Sequence, residues 1–153
     1  MPVSAPVSPL TAHLGYWLRY VSNHVSHAFA RKLEDEGVTV AEWVVLRELY
    51  DAEAIAPSRL AERLGMTRGA ISKLADRLIA KALVVRRASP DDLRAHSLSL
   101  SLAGRALVPR LGALADRNDA EFFDHLEPEE RQAVERILRA VVERRGLKDV
   151  PVT

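Results

Sequence analysis

Three residues, Gly65-Met66-Thr67, separate two segments of helical periodicity, and this spacing constrains the fold more than any other feature of the chain. Pro57-Ser58 opens a short helix, Arg59 to Leu64. Gly65 stops it, because glycine readily takes the left-handed conformation that ends a helix. Thr67 is a good N-cap for the helix that follows, Arg68 to about Lys81. Ile71, Leu74, Ala75, Leu78 and Ile79 form its apolar stripe. Two short helices joined by a tight glycine-containing turn are a helix-turn-helix pattern. The period then changes. Leu83 to Arg87 reads as a strand, Ala88 to Arg94 as a turn, and His96 to Ser101 as a second strand with Leu98 and Leu100 on one face. The pair forms a two-stranded wing.

Long helices flank this unit. Apolar residues recur with helical spacing from Leu10 to Phe29, which predicts a helix from Leu10 to about Glu36-Gly37. Thr39 and Glu42 have the spacing of a capping box and open a second helix through about Tyr50. A helix from about Leu102 to Phe123 contains Pro109, which predicts a kink near its first turns. Pro128 occupies the first position of a last helix, whose apolar face is Val134, Ile137, Leu138, Val141 and Val142. The expected fold is mainly α: one domain over 1–153, with a winged helix-turn-helix lobe at about 39–101 and flanking helices at about 10–36 and 102–146. A length of 153 residues suits one domain. The absence of cysteine excludes disulfides, thiolate metal sites and thiol redox switching. No apolar run reaches the roughly 20 residues of a membrane helix. The start of the chain has no secretory pattern, so the expected location is cytoplasmic, with no membrane partner.

A formal net charge of +1 conceals a segregation. Segment 57–105 holds ten Lys and Arg against four Asp and Glu, a net +6, and the remainder is −5. A basic middle between acidic ends is the footprint of a polyanion-binding surface. Arg68, Ser72, Lys73 and Arg77 can face a major groove while the apolar stripe is buried. Thr67 and the helix N-terminus can hold a phosphate, with Ser58, Arg86 and Arg87 nearby. The alternative is an ordinary solvated helix face.

The run Ser89-Pro90-Asp91-Asp92-Leu93-Arg94-Ala95-His96-Ser97-Leu98-Ser99-Leu100-Ser101, followed by Ala103-Gly104-Arg105, resembles the wing of the MarR family of winged-helix regulators. The family's signature is Asp-any-Arg, five residues, then Leu-Thr. Here it reads Asp92-Leu93-Arg94, five residues, Leu100-Ser101. The resemblance extends from about residue 10 to 146. It implies a homodimer interlocked through the first and last two helices, with Arg68 to Lys81 in the major groove. It also implies that Arg94 enters the minor groove, oriented by Asp92. Two-fold symmetry would set the recognition helices about 34–36 Å apart on a near-palindromic duplex.

Aromatic residues cluster in the first two helices: Tyr16, Trp17, Tyr20, Phe29, Trp43 and Tyr50. Trp17, Tyr20, His24 and His27 can share a face. An aromatic cavity with a few polar groups, drawing on Trp17, Tyr20, His24 and Trp43, would suit a planar organic acid or phenol. The alternative is that these residues are core and dimer contacts. A subgroup of the family that responds to urate uses Trp, Asp and Arg, where this chain has Trp17, Val44 and Lys73. His24 and His27 have no carboxylate at fixed spacing, so no metal or other cofactor is expected. No phosphate loop and no Gly-x-Ser-x-Gly elbow is present, which argues against an enzyme. The functional expectation is a dimeric, sequence-specific DNA-binding regulator, a repressor released by a small aromatic ligand. The alternative is a winged-helix module that binds protein without DNA.

Overall fold

The computed structural model describes residues 4–88 and 96–152. After a 3₁₀ turn at Leu10–Ala12, helix α1 spans Leu14–Glu34. It starts four residues later than periodicity predicts. His13 is extended (φ −97°, ψ 124°), and the Thr11 carbonyl accepts from the Trp17 indole at 3.0 Å instead of from the helix ladder. Gly37 carries the expected positive φ of 75° just beyond the helix.

Helix α2, Val40–Tyr50, opens with the capping box: Glu42 N donates to Thr39 Oγ1 at 3.1 Å and Thr39 N donates to Glu42 Oε1 at 2.9 Å. Helices α3, Pro57–Leu64, and α4, Arg68–Ala80, follow. Strands β1, Val84–Ala88, and β2, His96–Leu100, pair antiparallel with Val84 opposite Leu100 and Arg86 opposite Leu98. Ile55 adds a one-residue third strand, exchanging hydrogen bonds of 2.9 and 2.8 Å with Leu98. Nothing in the local sequence around Ile55 announced that bridge.

The core gathers the inward faces of α2, α3, α4 and the wing around Leu46, Leu60, Leu64, Ile71, Leu78 and Leu98. Helix α5, Leu102–Phe123, joins it through Leu107, Val108 and Leu111, and it continues as one helix through Pro109. Its first turn lies hard against the wing. A Cβ on Gly104 would stand 2.1 Å from the Leu83 carbonyl oxygen. Helix α6, Pro128–Arg145, has Pro128 in its first turn as expected and a Glu127–Glu130 capping box. No residue of α6 is buried. Its apolar face, including Ile137 at 54% exposure, meets solvent in the single chain.

Candidate nucleic-acid interface

The helix-turn-helix is set by two local devices. Gly65 caps α3 at φ 62°, and Thr67 Oγ1 accepts from Ala70 N at 3.0 Å to cap α4. Ile71, Leu74, Ala75 and Leu78 then face the core, so Arg68, Ser72, Lys73, Asp76 and Arg77 face solvent.

These exposed residues split between two rows. Arg68, Ser72 and Asp76 border a concavity of about 780 Å³ together with Ser58 from the start of α3 and Arg86 from the wing. Lys73 and Arg77 occupy the next row of α4, beside it. Strand register separates the two wing arginines. Arg86 pairs with Leu98 and shares its face toward α4, whereas Arg87 pairs with Ser97 on the opposite face. The Arg86 guanidinium donates to Asp76 at 3.0 Å, which fixes its position over the concavity. His96 also borders this hollow, a site residue the sequence reading missed. The signal was present, because His96 lies two residues before Leu98 and therefore on the same strand face. Asp92 and Arg94 lie outside the described residues.

The charge of segment 57–105 overstates the charge of this face. Arg105 turns to α2, donating to the Tyr50 carbonyl at 3.2 Å with its guanidinium 5.5 Å from the Tyr50 ring centre. Lys81, at the end of α4, donates to the Gly37 carbonyl at 2.8 Å and lies 2.9 Å from both oxygens of buried Glu42. Burial alone would raise the pKa of the Glu42 carboxyl. The hydrogen bonds from Lys81 and Thr39, with the Lys81 charge, outweigh it and hold the pKa below its ordinary 4.5. Lys81 thereby ties the recognition helix to the α1–α2 turn.

The four aromatic-site candidates do not meet in one cavity. Trp17, Tyr20 and His24 form a stacked ladder along exposed α1, with ring centres 6.5 and 5.5 Å apart. Tyr20 and His24 border a shallow surface hollow with Tyr16, Arg19 and Asn23. Trp43 instead packs edge-on against Phe29 at 6.3 Å and lines a cavity of about 280 Å³ between α1, α2 and α5. Val44, Asn118 and Asp119 also line it. Asn118 is buried, donating to the Val25 carbonyl at 3.1 Å and accepting from Lys32 at 2.9 Å. Helical spacing grouped Trp17, Tyr20 and His24 as the structure has them, but His27, placed with them by the same spacing, is not among the stacked rings. Spacing could not tell that Trp43 faces the other side of α1.

A model described as the MarR family matches residues 36–95, which take in α2, α3, α4 and β1. Over 123 residues the chain is 29% identical to a putative transcriptional regulatory protein for the hcr operon of Thauera aromatica, covering 80% of this chain and 74% of that one. It also superposes on a mutant of Escherichia coli MarR complexed with operator DNA, with a TM-score of 0.76 at 26% identity. That match covers 84% of this chain and 93% of the other. In sequence and fold the chain resembles the MarR family. A structure of Bordetella bronchiseptica BpsR, concerned with regulation of its DNA binding by 6-hydroxynicotinic acid, matches this chain with a TM-score of 0.78 at 26% identity, covering 89% of this chain and 97% of the other. Among the described residues, six helices and a two-stranded antiparallel wing give the architecture of MarR-family winged-helix structures, and the matching homologues are described as transcriptional regulators.

Proposed function

We propose that the protein acts as a homodimeric, sequence-specific repressor that a small aromatic ligand releases from DNA. The observation that carries the DNA-reading part is the convergence of Ser58, Arg68, Ser72 and Arg86 on one exposed concavity between α3, α4 and the wing. Arginine can pair with guanine edges and serine can serve several bases, while the α4 N-terminus favours a phosphate. Lys73, Arg77, Thr67 and Arg87 supply flanking backbone contacts, and the wing's resemblance to the MarR family implies Arg94 in the minor groove with Asp92 as its orienting partner. The operator complex of a relative supports the same use of this fold.

The dimer is supported by unsatisfied apolar surface. Leu14, Leu18 and Val21 of α1 and the apolar row of α6 are exposed in the single chain. The groove between α5 and α6, about 580 Å³, has Phe123, Leu126, Val134, Leu138 and Val142 among its lining residues and suits a helix of a second copy. The Trp43–Phe29 cavity, with Asn118 and Asp119 as polar groups, is where we place a planar phenol or aromatic acid.

Selection of bound fragments from the source genome, followed by titration of the selected duplex, tests the reading. A near-palindromic site should emerge, and Arg68→Ala and Arg94→Ala should each weaken binding by more than tenfold with the fold intact. Duplex affinity unchanged in both variants and across salt would overturn it and favour a protein-interaction module.

A further inference from the structure

The segment after α6 runs back onto the two places that matter for regulation. Gly146 ends the helix at φ 62°, and Leu147 N donates to the Val142 carbonyl at 3.0 Å, which turns the chain away from the helix axis. Lys148 then passes over the helix-turn-helix turn so closely that a Cβ on Gly65 would lie 2.3 Å from its carbonyl oxygen. Val150 N donates to the carbonyl of Leu64, the last residue of α3, at 3.2 Å, and the Val150 side chain packs against the core. One residue later, Pro151 lines the Trp43–Phe29 cavity.

Every other residue lining that cavity belongs to α1, α2 or α5. Pro151 is the one wall not built on a helix. It is itself exposed, so it covers the cavity from outside without being locked into the core. The anchor beside it is a single backbone hydrogen bond and a half-buried valine.

We infer that residues 147–152 are a strap that closes the Trp43–Phe29 cavity and braces the α3–α4 turn, so that an aromatic ligand and the seated strap exclude one another. The inference rests on the reading of this cavity as the ligand site. A ligand that takes the place of Pro151 pulls on Val150 and releases the Leu64 carbonyl. Occupancy of the cavity is thereby felt at the turn preceding the recognition helix within one chain. If the strap is seated about nine-tenths of the time, its removal raises ligand affinity about tenfold, because the competent state is no longer a minority.

Two variants test this: a chain ending at Leu147, which keeps α6 and its cap, and Pro151→Asp, which sets a second carboxylate near Asp119 while retaining every residue. The probe is 2-naphthol, followed by calorimetry. Amide exchange is read at Gly65 and Met66, whose N–H groups donate to Glu62 and Ala61. Both variants should bind 2-naphthol about tenfold more tightly than the intact chain and exchange faster at Gly65 and Met66. Saturating 2-naphthol should speed those amides in the intact chain to the same degree. Equal affinity in all three proteins overturns the gate while leaving the cavity reading intact. Binding to none of them overturns the cavity reading and the gate together. Exchange that is unchanged on truncation overturns the brace on the turn.

Discussion

Glu42 holds two elements with one carboxylate. It caps α2, binds the end of α4 through Lys81, and lies at 1% exposure. Its folded pKa is depressed, so its stabilisation is fully present above about pH 4.5 and is lost as pH falls through the folded value. Acid denaturation should therefore show a loss of stability below pH 4.5 that Glu42→Gln lacks. At neutral pH Glu42→Gln should cost about 3 kcal/mol in urea titration, the low end for breaking a buried pair because Lys81 keeps partial solvent access. Gly104 is constrained by space. Gly104→Ala drives a methyl into the Leu83 carbonyl, and thermal unfolding should register a loss of about 1–3 kcal/mol. The capping role of Glu42 was legible from its distance to Thr39. The burial and the Lys81 partner were not, since they depend on a residue 39 positions away.

The recognition helix shows what an element owes to its ends. Thr67 fixes the start through its bond to Ala70, as the sequence implied. Thr67→Ala should cost about 1 kcal/mol of stability. The far end is less comfortable. Ala82 adopts φ 61°, a left-handed conformation that costs a non-glycine residue roughly 1–2 kcal/mol. Ala82→Gly should raise the urea midpoint by about 1 kcal/mol of stability, the strain relieved being partly offset by a freer unfolded chain. No sequence signal marks Ala82, because alanine is an ordinary helix residue until the chain must turn back from α4 into β1. The wing carries the same lesson at Arg86 and Arg87. They are adjacent and alike in sequence, yet strand alternation sends only Arg86 to the concavity and to Asp76.

For the whole molecule, the decisive quantity is apolar surface left uncovered. Helix α6 has five aliphatic residues on one face and buries none of its residues, an arrangement that association with a second copy would relieve. Leu138→Glu should convert the proposed dimer to monomer in sedimentation while sparing the winged-helix core, and operator affinity should fall because both half-sites are no longer bound together. Duplex affinity of the dimer should fall steeply with salt, with a log–log slope of about 0.9 for each phosphate neutralised. With the chain outside 57–105 at net −5, its other surfaces should compete weakly for a polyanion.

The sequence alone determined the elements of the reading head. Helix periodicity, the Gly65 stop, the two threonine caps and the shift to period two are local, so each acts within one turn or one strand pair. It also determined that basic charge collects in the middle of the chain. Tertiary structure decided which of those charges reach the concavity between α3, α4 and the wing. Packing of α4 against α2 consumed Lys81, and packing of α5 consumed Arg105, whereas the wing's register brought Arg86 and His96 to Arg68. It likewise parted Trp43 from the α1 ladder and brought Pro151 to it across more than a hundred residues. Contacts so distant in sequence have no periodicity to betray them. They arise only when the helices close on a shared core and fix which face of each is left for function.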